Sequence, residues 1–184
     1  WAGFSGGGIY AVGFNGGESS PTLTNVTFGG NSTSGDGAGM HNRSYGGGTS
    51  HPALTNVILW GNRAHLDGDQ LYNDGAAPTV ATSLVEGGWD GSGVVNVNGG
   101  GVTDGGGNLD VDPAFVQDPD PGDPNWNSTE DSAFDYDPGD LRLRSESPAI
   151  DAGNSLSVTV ATDLAGNPRR HDSPWIEDTG SGGA

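Results

Sequence analysis

Five aspartates, Asp110, Asp112, Asp118, Asp120 and Asp123, fall within fourteen residues and are followed by Asp135, Asp137 and Asp140. Pro and Gly suppress regular structure in this stretch and leave backbone carbonyls free. Calcium takes such a setting, with about six to eight hard oxygen ligands at roughly 2.3–2.6 Å. The spacing matches neither the EF-hand loop nor the nonapeptide calcium repeat, so the signal is compositional and a solvated acidic loop is the simpler account. If calcium binds, Asp110 and Asp112 are the expected ligands, because a strand through Leu109 and Val111 would hold both carboxylates on one face.

Other residues capable of chemistry are scattered. His41, His51 and His65 fall at similar positions that read as loops, and they would form a weak metal site only if stacked. Asp67 with Asp69, and Asp36 near His41, fall at turns and do not recur as opposed carboxylates. Glycoside hydrolysis needs two carboxyl groups about 5–9.5 Å apart across a groove. The chain is therefore not expected to be an enzyme. Trp60, outward by alternation, is either a sugar-stacking platform or a residue covered by a loop. Asn25, Asn31, Asn42 and Asn127 fit the glycosylation acceptor pattern, but Asn25 and Asn31 read better as corner residues that stack on Asn56 and Asn62.

The elements that carry these residues follow from repetition. Gly6-Gly-Gly-Ile-Tyr10 returns as Gly37-Ala-Gly-Met-His41 and as Gly68-Asp-Gln-Leu-Tyr72, each 31 residues after the last. A second block keeps the same phase: Pro21-Thr-Leu-Thr-Asn-Val-Thr-Phe-Gly-Gly-Asn31, Pro52-Ala-Leu-Thr-Asn-Val-Ile-Leu-Trp-Gly-Asn62, and a worn copy, Pro78 to Gly88. The third repeat lacks five residues between its blocks. Short β-branched runs punctuated by Gly and Pro predict strands. Within the second block, alternation slips at Asn25, Asn56 and Thr82, which predicts two strands meeting at a corner. Ile9, Met40 and Leu71 should form one inward column, and Leu23, Leu54 and Val80 another.

Composition fits a long, thin core: only 32% of the 184 residues are hydrophobic, and 35 are glycine. No cysteine is present, which removes disulfides and thiolate metal sites. The formal net charge is −18, with no lysine, so polyanionic nucleic acid and direct membrane insertion or surface binding are not expected. The chain starts at Trp1 in mid-pattern, and we read it as a fragment of a longer chain.

The expected fold is all-β, a right-handed parallel β-helix (solenoid). Residues 1–108 form its coils, with a further degenerate coil around Val94 to Val97. Residues 109–184 form an acidic closing module containing the Asp/Pro-rich loop 117–140. Its apolar pattern resumes at Leu141-Arg-Leu143 and runs on through Val158-Thr-Val160, whereas Thr179 to Ala184 read as an unpacked connector.

The pairing of Gly-Gly-Gly-Ile-Tyr with Ser20-Pro-Thr-Leu-Thr-Asn-Val-Thr-Phe-Gly-Gly-Asn31 resembles secreted bacterial right-handed parallel β-helix proteins with polymorphic outer-membrane-protein-like repeats. Gly107-Asn-Leu-Asp-Val-Asp-Pro-Ala-Phe-Val116, Ser147-Pro-Ala-Ile-Asp-Ala-Gly-Asn154 and Thr162-Asp-Leu-Ala-Gly-Asn-Pro-Arg169 resemble the closing module of anchored cell-surface proteins. The resemblance implies an extracellular or cell-surface location and a structural or adhesive role, as a unit of a larger fibre or surface layer. The expected partners are adjacent coils, other copies of the chain and surface glycans. A carbohydrate-binding or carbohydrate-degrading β-helix is the alternative. Pectate lyases and polygalacturonases share that architecture, but their arginine or lysine base beside calcium, or aspartate trio with Gly-His-Gly, is not matched in this sequence.

Overall fold

The computed structural model describes residues 3–89, 91–122, 136–163, 166–169, 175 and 179–181. The first repeat forms β1 (Ile9–Phe14), β2 (Thr22–Thr24), β3 (Thr27–Gly29) and β4 (Ser32–Thr33). The second forms β5 (Met40–Tyr45), β6 (Ala53–Thr55), β7 (Ile58–Trp60) and β8 (Arg63–Ala64). The third forms β9 (Leu71–Asp74), β10 (Thr79–Ala81) and β11 (Leu84–Val85), and is followed by β12 (Val94–Val97) and β13 (Thr103–Asp104). In the closing segment, β14 (Phe115–Gln117) pairs antiparallel with β15 (Asp140–Leu143). The fold is all-β: a 3₁₀ turn at Ser155–Ser157 is the one helical element among the described residues, and no helix there is long and apolar enough to cross a membrane.

Each repeat contributes one strand to each of three parallel sheets, ordered β1-β5-β9-β12, β2-β6-β10-β13 and β3-β7-β11, while β4 pairs with β8. The first two repeats pair 31 residues apart, and both expected columns form. Ile9 faces Met40 and Met40 faces Leu71, whereas Leu23 and Val80 flank Leu54. Met40, Leu54, Val57, Leu59, Leu71 and Val80 are buried to within 1% and form the core with Phe28, Val85 and Val94. Val94–Val97 pairs with Leu71–Asp74, so the degenerate stretch does add a further strand to the first sheet.

The corners have a specific chemistry. Asn25, Asn56 and Thr82 adopt φ of 58°, 53° and 46°. This left-handed region costs an ordinary L-residue roughly 1–2 kcal/mol and is best tolerated by Gly, Asn and Asp. Asn56 Nδ2 donates to Asn25 Oδ1 at 3.0 Å, and Thr82 Oγ1 donates to Asn56 Oδ1 at 2.8 Å, so the corners are joined by a side-chain ladder. Asn31 Nδ2 likewise donates to Asn62 Oδ1 at 2.8 Å. These asparagines are corner residues, as the spacing suggests. A third ladder starts inside the core and ends at the exposed Asn96: Asn42 Nδ2 donates to Asn73 Oδ1 and Asn73 Nδ2 to Asn96 Oδ1, both at 2.9 Å. The preceding repeat has Ala11 in register with Asn42, and Asn42 Oδ1 is left buried without a partner.

The five residues missing from the third repeat are accounted for by a turn. β1 and β5 run six residues into turns closed by Gly17 N–H to Phe14 O and Gly48 N–H to Tyr45 O, whereas β9 stops after four.

The closing segment covers the outer side of the β3-β7-β11 sheet. Pro119 is buried against Gly30 and Gly61, which have φ of 65° and 64°. A Cβ at either glycine would meet the proline ring at 2.7 or 3.0 Å, so only glycine suits both the backbone and the contact. Leu143, Ala149 and Ala152 close over Ile58 and Leu84 around a small cleft of about 100 Å³. Asn154 N–H donates to Asn56 Oδ1 at 2.7 Å, and Asn56 Nδ2 donates to Asn154 O at 3.0 Å, tying this segment to the corner ladder. This explains the apolar outward Ile58, and Trp60 on the same strand is half-buried.

Three expectations are corrected. Leu109 forms one isolated bridge to Leu84 and no strand runs through Val111, because the chain turns at once into the Asp112–Ala114 loop. The apolar pattern through Val158-Thr-Val160 does not become packing, since Val160 is exposed. Thr179 to Ser181 does not hang free: Ser155 N–H donates to Ser181 O at 2.9 Å and Gly180 N–H to Asp151 O at 2.8 Å, backbone pairing that needs no side-chain packing.

Because Asn56 combines a left-handed backbone with four ladder and docking hydrogen bonds, Asn56→Ala should destabilise the chain by roughly 2–4 kcal/mol. Asn56→Gly, which relieves the backbone, should cost about 1 kcal/mol less. Urea unfolding of the two variants checks this, and equal losses would remove backbone strain from the account.

Candidate functional site

Alternation in the first sheet sends Ile9, Ala11 and Gly13 inward and Tyr10, Val12 and Phe14 outward. Register then builds outward rows. Tyr10, His41 and Tyr72 face one another across β1, β5 and β9, with ring centroids 4.9 Å apart at each step. Phe14 stacks on Tyr45 at 4.3 Å. Between the two rows runs a middle row of Val12, Arg43 and Asp74. Since β9 ends at Asp74, no third ring follows Tyr45, and the Arg43 guanidinium lies 4.6 Å from the Tyr45 ring centre. Arg43 Nε also lies 2.8 Å from Asp74 Oδ2, an ion pair whose N–H is not aligned for a hydrogen bond. With Arg43 partly in solvent, the pair contributes about 0.2–1 kcal/mol and the cation–π contact about 0.5–1 kcal/mol.

The rings are open to solvent: Tyr10 is 49% exposed, Phe14 46% and Tyr45 42%. His41 differs, at 5%. It is a strand residue rather than the loop histidine its spacing suggests, because the glycine block ends one residue before β5 begins. Neither of its ring nitrogens has a hydrogen-bond partner of good geometry. Burial, the largest influence, pushes the His41 pKa down, against the opposing pull of the Asp36 main chain and of the Asp36 and Asp74 carboxylates. His51 and His65 are exposed and do not stack on it.

Three of the expected calcium ligands accept hydrogen bonds from backbone amides. Asp110 Oδ1 accepts from Gly87 N–H at 2.9 Å, Asp112 Oδ1 from Ala114 N–H at 2.7 Å and Asp120 Oδ1 from Gly122 N–H at 2.9 Å. Each carboxylate is tied to a turn of the backbone, and Asp110 and Asp112 are not held on one strand face. Asp123 and Asp135 lie outside the described residues. Among the described residues no three His, Asp or Glu side chains converge as a metal-binding group.

Asp110 and Asp118 do approach a carboxyl that spacing did not single out. Glu86 lines a cleft of about 330 Å³ with Asp69, Gln70 and Arg63. Its Oε2 accepts from Gly61 N–H at 2.8 Å and Gln70 Nε2 at 2.7 Å. Burial raises the Glu86 pKa, the Gly61 N–H opposes this, and the charges of Asp69, Asp110 and Asp118 add to the rise. The signal that could have identified Glu86 is its place on the worn third copy, in line with Trp60.

The aromatic face was also not legible as a site, since Tyr10, His41 and Tyr72 read as part of a glycine block. What was available was the 31-residue phase, which puts outward residues in register as surely as inward ones. Comparisons with protein-family models, curated proteins and solved structures find no match to this chain.

Burial of His41 generates a pH dependence. Its folded pKa lies below the unfolded value of 6.5, so its contribution to stability is full above 6.5 and is lost as pH falls toward the folded value. Asp36 and Glu86, whose pKa values are raised by burial, have the opposite slope in the carboxylate range. The comparison is therefore made between variants: His41→Phe, which keeps a ring between Tyr10 and Tyr72, should flatten the melting-temperature profile between pH 7 and pH 5. Parallel profiles for the two proteins would exclude His41 as the titrating group.

Proposed function

We propose that this chain is a segment of a right-handed parallel β-helix that serves as an extracellular or cell-surface structural and adhesive element, with the outward face of the first sheet as its contact surface. The observation that carries the reading is the exposed pair of aromatic rows held in register on that sheet. Right-handedness is supported by the strong bias of crossovers between parallel strands of one sheet. Stacking against further coils or another copy is supported by the first repeat: Ile9, Leu23 and Val26 are only partly buried, although their successors Met40, Leu54 and Val57 are buried completely. The strong negative charge turns such a surface away from polyanions.

A second reading, carbohydrate degradation, is favoured by the cleft where Glu86 has a raised pKa beside Asp69. Release of reducing ends from polysaccharide, abolished in Glu86→Gln, would establish it.

The adhesive reading is tested with beads carrying the chain, scored for retention on cells of the source organism. The triple variant Tyr10→Ser, Phe14→Ser, Tyr45→Ser should lose most of the retention while keeping the β-sheet circular-dichroism signal. Equal retention by the folded variant, or no retention by the parent chain, would overturn it.

A further inference from the structure

We propose that the outer edge of the first repeat docks a parallel β-coil carrying two asparagines six residues apart, the first accepting a hydrogen bond from this chain and the second donating one to it. This deepens the stacking part of the reading above and rests on it. β1, β2, β3 and β4 each end their sheet on this side, so a row of backbone donors and acceptors is left for strand addition. Ile9, Leu23 and Val26, only partly buried, add an apolar strip to the same edge.

Two corner side chains specify the partner. The Asn56 amide is fixed in orientation, because its Oδ1 accepts from Thr82 Oγ1 and Asn154 N–H while its Nδ2 donates to Asn25 Oδ1. This fixes Asn25 in turn, and leaves its Nδ2 as a donor with no partner among the described residues. The second corner runs the other way. Asn62 Nδ2 donates to Phe28 O and Gln70 Oε1, so Asn62 Oδ1 receives the backbone N–H and the Nδ2 of Asn31. Asn31 Oδ1 is then an acceptor with no partner among the described residues. The edge therefore offers one amide donor and one amide acceptor at defined places.

These two groups select among occupants. Asn56 and Asn62 stand six residues apart, as Asn25 and Asn31 do, and a coil of that kind laid on the edge in the existing register sets an Oδ1 against Asn25 Nδ2 and an Nδ2 against Asn31 Oδ1. A second copy of the chain fits less well. Docked head to tail, it would bring Gly106 to the first corner, since Gly106 O is the group that receives Thr82 N–H there, and glycine has no side chain to accept from Asn25. Docked in reverse, it would run its strands antiparallel to β1, β2 and β3, whereas these strands pair in parallel with the second repeat.

The test adds a synthetic peptide with the sequence of residues 32–62 to the full 184-residue chain, read by calorimetry, with sedimentation of the chain alone and with peptide alongside. Saturable binding of one peptide per chain is expected. The same substitution at the peptide's two corners should have opposite results. Asn56→Asp in the peptide keeps the acceptor and tolerates the left-handed backbone, so binding should be largely retained. Asn62→Asp in the peptide replaces the donor by an acceptor and should weaken binding on the order of tenfold. Each adds one negative charge, so general repulsion by the acidic chain is matched between them. No binding of the parent peptide, or equal binding of the two Asp peptides, overturns the proposal. Self-association of the chain that the peptide does not displace would make a second copy the occupant and overturn it as well. Absent peptide binding, with cell retention still governed by the aromatic rows, would leave the surface reading standing; absence of both would remove the two together.

Discussion

A left-handed residue at the same corner of every repeat governs this structure. Asn25, Asn56 and Thr82 let the chain change direction between two short strands, and the turn resets the alternation so that both strands present apolar residues to one core. Asparagine suits the place because its short amide tolerates positive φ and can bond to its counterpart in the next repeat. Threonine is β-branched and strained there. Its hydroxyl nevertheless donates to Asn56, which fits the worn character of the third copy. The same asparagine anchors the closing segment through Asn154, so corner, core and cover meet at one side chain.

The periodic part of the molecule could be read from the sequence because repetition is a long-range signal: a phase of 31 residues says which residues are neighbours without locating any strand boundary. It predicted the columns of Ile9 with Met40 and Leu23 with Leu54, and the stacking of Asn31 on Asn62. The closing segment has no such phase, and its reading was weaker. Leu109 and Val111 alternate with aspartates as a strand would, yet pairing stops at Leu109, and Asp112 accepts from Ala114 N–H in a local turn. Thr179 to Ser181 pairs through backbone alone, which side-chain patterning cannot reveal. Glu86 and the aromatic face escaped for a different reason: both are outward features, and attention to apolar columns sorts residues by what they bury.

The missing five residues of the third repeat shape the face as well as the fold. With the turn gone, β9 ends at Asp74, and the row that began with Phe14 and Tyr45 has no third ring. Arg43, from the adjoining middle row, leans over Tyr45 and pairs with Asp74, so the deletion leaves a cation rather than a third ring beside the end of the aromatic row. The deletion leaves the inward columns intact, because Leu71 and Val80 still meet Met40 and Leu54.

Inward and outward rows are therefore separable in this architecture, and the separation has a physical cause. Strand alternation assigns each residue to one face, and parallel register copies that assignment into the next repeat at about the 4.8 Å strand spacing. A core row must match its neighbours in volume, as the sequence of Met40, Leu71 and Val94 does, and a polar interruption has to bring its own partners. Asn42 illustrates the cost: Asn73 satisfies its amide N–H, but Ala11 cannot satisfy its oxygen. Outward residues open to solvent face a milder test, since water satisfies what a neighbour does not, whereas His41, covered between Tyr10 and Tyr72, is the outward residue left with unpartnered ring nitrogens. Aromatic, cationic and acidic side chains can consequently be placed on the sheet without disturbing the core, and each is held by a backbone that the core has already ordered. That ordering is what lets a chain with so little hydrophobic content present a rigid outer face.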